Sequence, residues 1–313
     1  MNVHHTDHNQ RCRAGLYGLL IGDALGVPYE FHDAADLPPE SAIEMEPPAG
    51  FRRAHRGVLP GTWSDDGAQA LCLLESLIHR PQLDLADFAQ RLLAWYEQGH
   101  MTPDGHVFDV GIQTSRAFDE LRHGASPASA GPRGERDNGN GALMRCLPVV
   151  FVAASEDEAV RLAMHQGLVT HGHLRSQLCC ALYTLVARRL LEGANAIDAI
   201  ATAEAHLRRR FEGTPAAAEM QRVLDARREP PRGSGYVVDS LWSALHCLLD
   251  TRDVESCLRR AIALGNDTDT TAAIAGGLAG LLHGFRAIPP RWITALRGRD
   301  IVEALLDKLP RSA

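Results

Sequence analysis

Between Ala272 and His283 the chain offers almost nothing but Ala, Ile, Gly and Leu. A stretch of helical length with so little polar surface reads as a buried helix. Directly ahead of it stands Gly265-Asn266-Asp267-Thr268-Asp269-Thr270-Thr271, with two carboxylates and three hydroxyls in seven residues. Asp267 and Asp269 therefore belong where a loop enters that helix, at a terminus whose free N–H groups and positive dipole end hold carboxylates. Residues two apart diverge on a helix face but converge in a turn, so the spacing suits such a junction. Two readings of the stretch stand side by side: a site for a hard metal ion, or a helix N-cap, for which Asp and Thr are also preferred.

The rest of the chain is equally helical in character. Aromatics make up only 5% of its residues, Ala, Leu and Gly are abundant, and no segment sustains a period-two alternation. This balance favours helices over sheet and predicts an all-α fold. Helices are expected at Arg11–Leu25, Ala68–His79, Leu85–Tyr96, from Gly111 through Leu121, and at Asp157–Leu168, Leu174–Leu191, Ala196–Phe211, Ala216–Arg227, Val237–Leu249, Val254–Leu264 and Asp300–Lys308. With 313 residues, 45% hydrophobic and 23% charged, there is ample material for one compact domain over residues 11–313. Residues 1–10 are expected to be a flexible N-terminus, with His4, His5 and His8 part of a frayed end and not a metal site.

A formal net charge of −7 leaves no basic footprint for nucleic acid. The clusters Arg208-Arg209-Arg210 and Arg227-Arg228 read as solvated helix ends. Seven scattered cysteines without a CxxC pair point to a reduced, cytoplasmic protein, with Cys179-Cys180 in the core. No run of eighteen apolar residues suggests a membrane span, and the polar Met1–Arg13 stretch lacks the features of a secretory signal.

Three further stretches carry chemistry. The first predicted helix has Gly15, Gly18 and Gly22 in a turn-spaced row, which requires a closely packed neighbour. Pro28 should stop this helix and leave Glu30 in the loop beyond; Asp23, before the break, reads as a structural hydrogen-bonding group, and Glu30 as the chemical candidate. Gly61-Thr62-Trp63-Ser64-Asp65-Asp66-Gly67 repeats the pattern of hydroxyl and paired carboxylates before an apolar helix. A cap needs only one Asp, so the second weakens the capping reading. Asn138-Gly139-Asn140-Gly141-Ala142-Leu143-Met144-Arg145 is expected to enter a helix with free N–H groups able to cradle a phosphate, an ordinary turn being the alternative. His171, in Val169-Thr170-His171-Gly172-His173, reads as a structural hydrogen-bonding group or as a ligand.

Taken in order, a GDALG-x-P-x-E segment, an SDD segment, a D-x-G segment at Asp109, a GNG-x-x-MR loop, a TH dipeptide and a C-terminal DTDT resemble the ADP-ribosylglycohydrolase family, from Gly15 to about Gly284. The resemblance implies a hydrolase that removes ADP-ribose from a modified acceptor at a two-metal centre. Ser64, Asp65, Asp66, Asp267, Asp269 and Thr270 would be its ligands, with Glu30 beside them. Gly139, Asn140, Gly141 and Met144 would hold the diphosphate, His171 would lie near the distal ribose and Tyr236 would pack on the adenine. Asp109 matches an acid near the ring-opening chemistry, so Glu30 is assigned the proton transfer with Asp109 as its rival, and loss of Asp269 should abolish turnover. Ser64 stands where Thr is common and keeps the hydroxyl; Gly67 replaces a hydroxyl residue and should loosen the support behind the ligands; Asp137 and Asn138 replace a Ser-Tyr pair found in some members.

An oxygen-only ligand set suits two Mg²⁺ or Mn²⁺ ions and not zinc. Without metal the carboxylates should repel, and at least one should resist ionisation. The expected partner is an ADP-ribosylated protein, with arginine as the acceptor; serine-linked or small-molecule ADP-ribose conjugates are alternatives. So is a non-hydrolytic ADP-ribose-binding or toxin-neutralising protein. A metal-dependent phosphohydrolase is disfavoured because no His-Asp ligand pair occurs in a suitable place. A monomer is expected.

Overall fold

The computed structural model describes residues 3–309, with side chains from residue 8 onward. His4 and His5 lie outside the described side chains. The chain runs α1 (Val3–Gly26), α2 (Asp65–His79), α3 (Leu85–Gln98), α4 (Ile112–Arg122), α5 (Val149–Val152), α6 (Glu156–Gly167), α7 (Leu174–Leu191), α8 (Ala196–Phe211), α9 (Ala217–Asp225), α10 (Val237–Asp250), α11 (Val254–Ile262), α12 (Thr268–His283), α13 (Pro290–Ala295) and α14 (Arg299–Leu306). Among the described residues the only β pairing is two isolated bridges, Asp33 with Gly265 and Gly139 with Tyr236, so the all-α expectation holds. No described helix is long and apolar enough to cross a membrane.

The pair α1 and α12 organises everything else. The two helices run antiparallel with their backbones in contact. A Cβ built on Gly18 would lie 2.1 Å from the Gly276 carbonyl oxygen, and one on Gly22 would lie 2.1 Å from that of Ala272. The obstacle at both positions is backbone, which cannot rotate away, so the glycine row is the contact that its spacing required. Around this pair α7, α10 and α11 pack on α12, while α2 touches both members. Every residue of α12 from Thr268 to Leu281 is buried as a result.

The antiparallel pairing brings the end of α1 to the start of α12. After Gly26 a single 3₁₀ turn, Val27–Tyr29, carries Pro28, and Glu30 follows it. The Phe31 amide donates to the Asn266 carbonyl at 2.8 Å, and the Asn266 amide donates to the His32 carbonyl at 2.7 Å. The Thr268 hydroxyl donates to the Gly26 carbonyl at 2.8 Å. Glu30 is thereby fixed beside the acidic entrance of α12.

Several boundaries differ from the sequence expectations. The first helix begins at Val3, well before Arg11. The predicted helix through Arg227 ends as α9 at Asp225 and tightens into a 3₁₀ turn, Ala226–Arg228. The Gly-Asn-Gly stretch does not open a helix: residues 141–145 are turns, and the short α5 starts only at Val149. A short helix, α13, follows Pro289 with Pro290 in its first turn, where the missing N–H costs nothing. All seven cysteines are buried and unpaired.

Candidate active site

Two helix N-termini supply the acidic residues, and α1 holds the first of them. The fully buried Asp23 carboxylate accepts hydrogen bonds from the Ser64 amide at 2.8 Å and the Gly67 amide at 2.7 Å. Asp23 is thus the structural group expected, and it aims the start of α2. Ser64 caps that helix by accepting from the Asp66 amide at 3.3 Å. Gly67 does not loosen this support: a Cβ there would meet Leu20 Cδ2 at 2.7 Å and Trp63 Cγ at 2.8 Å, so packing has taken the space.

At α12 the acidic stretch is more than a cap. Asp267 occupies the N-cap position without a side-chain capping bond of good geometry, although Thr270 of the first turn lies against its carboxylate. The same carboxylate accepts from the Asn140 side-chain amide at 2.7 Å. Asp269 Oδ1 accepts from the Thr270 amide at 2.8 Å. The Thr270 hydroxyl reaches across to Asp66 Oδ2 at 3.2 Å and joins the two acidic stretches. Glu30, Asp267 and Asp269 each place a carboxylate oxygen within 4.8 Å of the others.

These groups sit at a cavity of about 500 Å³. Glu30, Asp65, Asp109, Asp267 and Thr270 line it together with Gly139, Asn140, Gly141, Met144 and His171, and the Asn140–Asp267 bond joins the two sets. Ser64, Asp66 and Asp269 are buried and do not reach the cavity lining. The His171 ring is packed against the glycine loop, since a Cβ on Gly141 would lie 2.7 Å from its Cε1. The Gly139 amide is already engaged, donating to Gln113 Oε1 at 2.6 Å. Tyr236 departs from its expected place. Its backbone bridges to Gly139, but its side chain lines a separate pocket of about 280 Å³ with Arg222 and Trp242 and does not line the main cavity.

The sequence matches the family described as ADP-ribosylglycohydrolase over residues 4–313. The chain belongs to the ADP-ribosylglycohydrolase family. It is similar to the ADP-ribosylarginine hydrolase Tri1 of Pseudomonas putida (strain GB-1), with 32% identity over 96% of this chain and 77% of the relative. It is 29% identical to the ADP-ribosyl-[dinitrogen reductase] glycohydrolase of Rhodospirillum rubrum, over 92% of this chain and 90% of that protein. A solved ADP-ribosylglycohydrolase-related protein complex superposes with a TM-score of 0.79 at 33% identity, covering 97% of this chain and 98% of that one.

In this ADP-ribosylglycohydrolase fold the acidic site has an electrostatic deficit. Burial pushes the Asp23 carboxyl up to about 7 and, with the neighbouring Asp267 charge, Asp109 to about 6. Burial and then the charges of Asp109, Asp267, Asp66 and Asp23 lift Glu30 to about 10. Asp65, Asp66 and Asp269 are also raised, by burial first and by their acidic neighbours second. Two of the oxygens, Asp66 Oδ1 and Asp269 Oδ2, are buried without a hydrogen-bond partner. Orphaned carboxylate oxygens among mutually repelling carboxylates are the environment a divalent cation completes, and the all-oxygen donor set fits Mg²⁺ or Mn²⁺.

Some site residues had no motif to announce them. His55, from the long loop after α1, contacts Glu30 Oε2 through Nε2 at 2.6 Å, with its ring between Phe31 and Phe108. Phe31, His55, Asp109 and Asn266 all hold left-handed backbone, with φ of 63°, 44°, 54° and 60°. Such conformations are uncommon outside glycine, and here Phe31, Asp109 and Asn266 line one cavity while His55 contacts Glu30 at its edge.

Proposed function

We propose that the chain hydrolyses the N-glycosidic bond between ADP-ribose and an arginine side chain of a modified protein, with two Mg²⁺ or Mn²⁺ ions bound. The observation that carries this reading is the meeting of the two acidic helix starts, with unpartnered buried oxygens on Asp66 and Asp269, beside a cavity that the Gly-Asn-Gly loop also lines. Ser64, Asp65, Asp66, Asp267, Asp269 and Thr270 would hold the cations. When bound, the ions supply Lewis-acid contacts to ribose hydroxyls and lower the pKa of a bound water.

The side chains do the rest. Gly139, Asn140, Gly141 and Met144 seat the diphosphate, and His171 meets a ribose or phosphate oxygen. Glu30, kept from ionising by burial first and by its acidic neighbours second, moves the proton: water adds across the C1–N bond, its oxygen going to the ribose and a hydrogen to the departing guanidine. Asp109 stands within reach of Glu30 and His55 as the second carboxyl. The arginine-specific name of a relative supports the choice of acceptor over serine, whose link to ADP-ribose is an O-glycoside. Tyr236 would reach the adenine only by turning its ring toward the cavity. The protein is expected to act as a cytoplasmic monomer.

The test is incubation with arginine-linked and serine-linked ADP-ribosylated proteins in the presence of Mg²⁺ or Mn²⁺. Release of ADP-ribose from the arginine conjugate, lost in Glu30→Gln and Asp269→Ala, is the expected result. Release from the serine conjugate alone overturns the acceptor assignment, and release from neither overturns hydrolysis.

A further inference from the structure

Arg145 is fully buried, and among the described residues it forms no ion pair. Its partners are neutral. Nε donates to Gln166 Oε1 at 2.8 Å, Nη1 to Gln69 Oε1 at 2.7 Å, and Nη2 to Thr170 Oγ1 at 2.7 Å and the Gln166 carbonyl at 3.2 Å. The ring of Phe88 lies 5.2 Å from its Cζ. A guanidinium has no acceptor, so each of these partners must turn a lone pair toward it. Every remaining polar atom on those partners is then committed elsewhere.

On one side the consequence falls on Gln69. With its oxygen held by Arg145, its amide nitrogen faces Asp65 Oδ2 and donates at 3.1 Å, which leaves Asp65 Oδ1, with only a long 3.5 Å contact from the Ser64 hydroxyl, to the acidic centre. On the other side it falls on Thr170. Its oxygen accepts from Arg145, and its single proton has one described acceptor, His171 Nδ1 at 2.8 Å. A proton on Nδ1 would leave that buried hydroxyl proton without a partner. The imidazole proton therefore belongs on Nε2, the atom that stands over the glycine loop, 3.1 Å from where a Gly141 Cβ would be.

We propose that Arg145 is a positioning residue for both halves of the site: through Gln69 it fixes which oxygen of Asp65 faces the acidic centre, and through Thr170 it fixes His171 as a neutral Nε2–H donor to a ligand oxygen. The proposal rests on the reading that Asp65 and His171 serve an ADP-ribose site. Burial and the nearby guanidinium independently keep His171 neutral, at about 3. A buried cation held entirely by neutral dipoles can face the metal side and the ligand side at once without cancelling either charge.

The experiment uses the full chain labelled with ¹⁵N-histidine, metal-free and without ligand, at pH 7. The chain has 15 histidines, so the His171 signals are assigned by their loss in His171→Gln. Wild type should show His171 protonated on Nε2 alone. Thr170→Val should give a tautomer mixture and raise the Kd for free ADP-ribose about tenfold, and Thr170→Ser should restore both. Gln69→Met should weaken Mn²⁺ binding by calorimetry about tenfold or more while leaving the His171 tautomer unchanged. A proton on Nδ1 in wild type, or an unchanged tautomer in Thr170→Val, overturns the histidine arm; unchanged Mn²⁺ affinity in Gln69→Met overturns the Asp65 arm. None of these readouts requires turnover, so an absence of hydrolysis would refute the proposed reaction and leave the relay standing. All of these single variants preserve Arg145, whose own replacement risks unfolding the chain.

Discussion

Gly22→Ala sets local helix preference against helix packing. Alanine in a helix interior is favoured over glycine by about 1 kcal/mol. Position 22, however, faces the Ala272 carbonyl, and the new methyl carbon would lie 2.1 Å from that oxygen. Ordinary contact begins near 3.4 Å, so α1 and α12 would have to separate by about 1.3 Å along a backbone-to-backbone seam. Overpacking of this kind costs up to about 3 kcal/mol, leaving a net loss of about 2 kcal/mol after the helix gain. At about 2.1 cal/mol/K per residue, that loss lowers the melting temperature of a chain this long by about 3 °C. The seam also sets Glu30 against Asp269, and a misplacement of about 1 Å can cost about a hundredfold in rate. Calorimetric melts and ADP-ribose release from an arginine conjugate measure the two effects. Gly15→Ala is the control, because its methyl would meet the mobile end of Leu281 and not backbone, and its penalty should be clearly smaller. A Gly22→Ala protein that melts above wild type with undiminished turnover would refute the close pairing of α1 and α12.

The acidic centre yields three more expectations. Asp269→Asn removes one of the repelling carboxylates, so in EDTA the variant should melt above wild type, while added Mn²⁺ should no longer raise its melting temperature. In wild type without metal, Asp23, Asp109 and Glu30 hold their protons to about 7, 6 and 10 in the folded state, above their unfolded values of about 4. The folded state therefore binds more protons in this window, and the contribution of these groups is present below about pH 4 and lost as pH rises through the folded values. Melting temperature in EDTA should fall between pH 5 and 8, and excess Mn²⁺ should flatten the slope; a metal-free melt that rises over this range contradicts the assignment. Gly141→Ala should push the His171 ring from the loop and weaken ADP-ribose binding by about tenfold or more, measured by calorimetry, with little change in Mn²⁺ affinity.

What the sequence made legible depended on locality. The apolar run of α12, the glycine row of α1 and the break at Pro28 each reside in a single stretch, and their consequences appear where expected. The choice between helix cap and metal site at Asp267 was not local, because both uses require the same residues. What folding adds is Asn140, a residue far away in sequence whose side-chain amide donates to that carboxylate. His55 was hidden for the same reason: it lies in an irregular loop without periodicity, and only folding brings it to Glu30. The loop around Gly139 misled in the other direction. Its small apolar residues continue toward a helical pattern, but the approach of His171 and the buried bonds of Arg145 hold residues 141–145 in turns. Tyr236 could be matched by position, yet the side on which its ring falls is a matter of packing.

The α1–α12 seam also has a consequence for how the chain comes into being. The partner of Gly18 is Gly276, so this backbone-to-backbone contact joins segments made far apart in time during synthesis. At typical elongation rates the delay between them is roughly 10–50 s. During that interval Leu16, Leu19, Leu20 and Ile21, all inaccessible in the finished protein, must be shielded by something other than their native neighbour. Interruption of translation before Asp267 would not leave a weakened enzyme, since it would remove the helix on which the first one closes. Long-range order of this sort slows the search for the native state and makes the emerging chain dependent on protection from aggregation until α12 is in place.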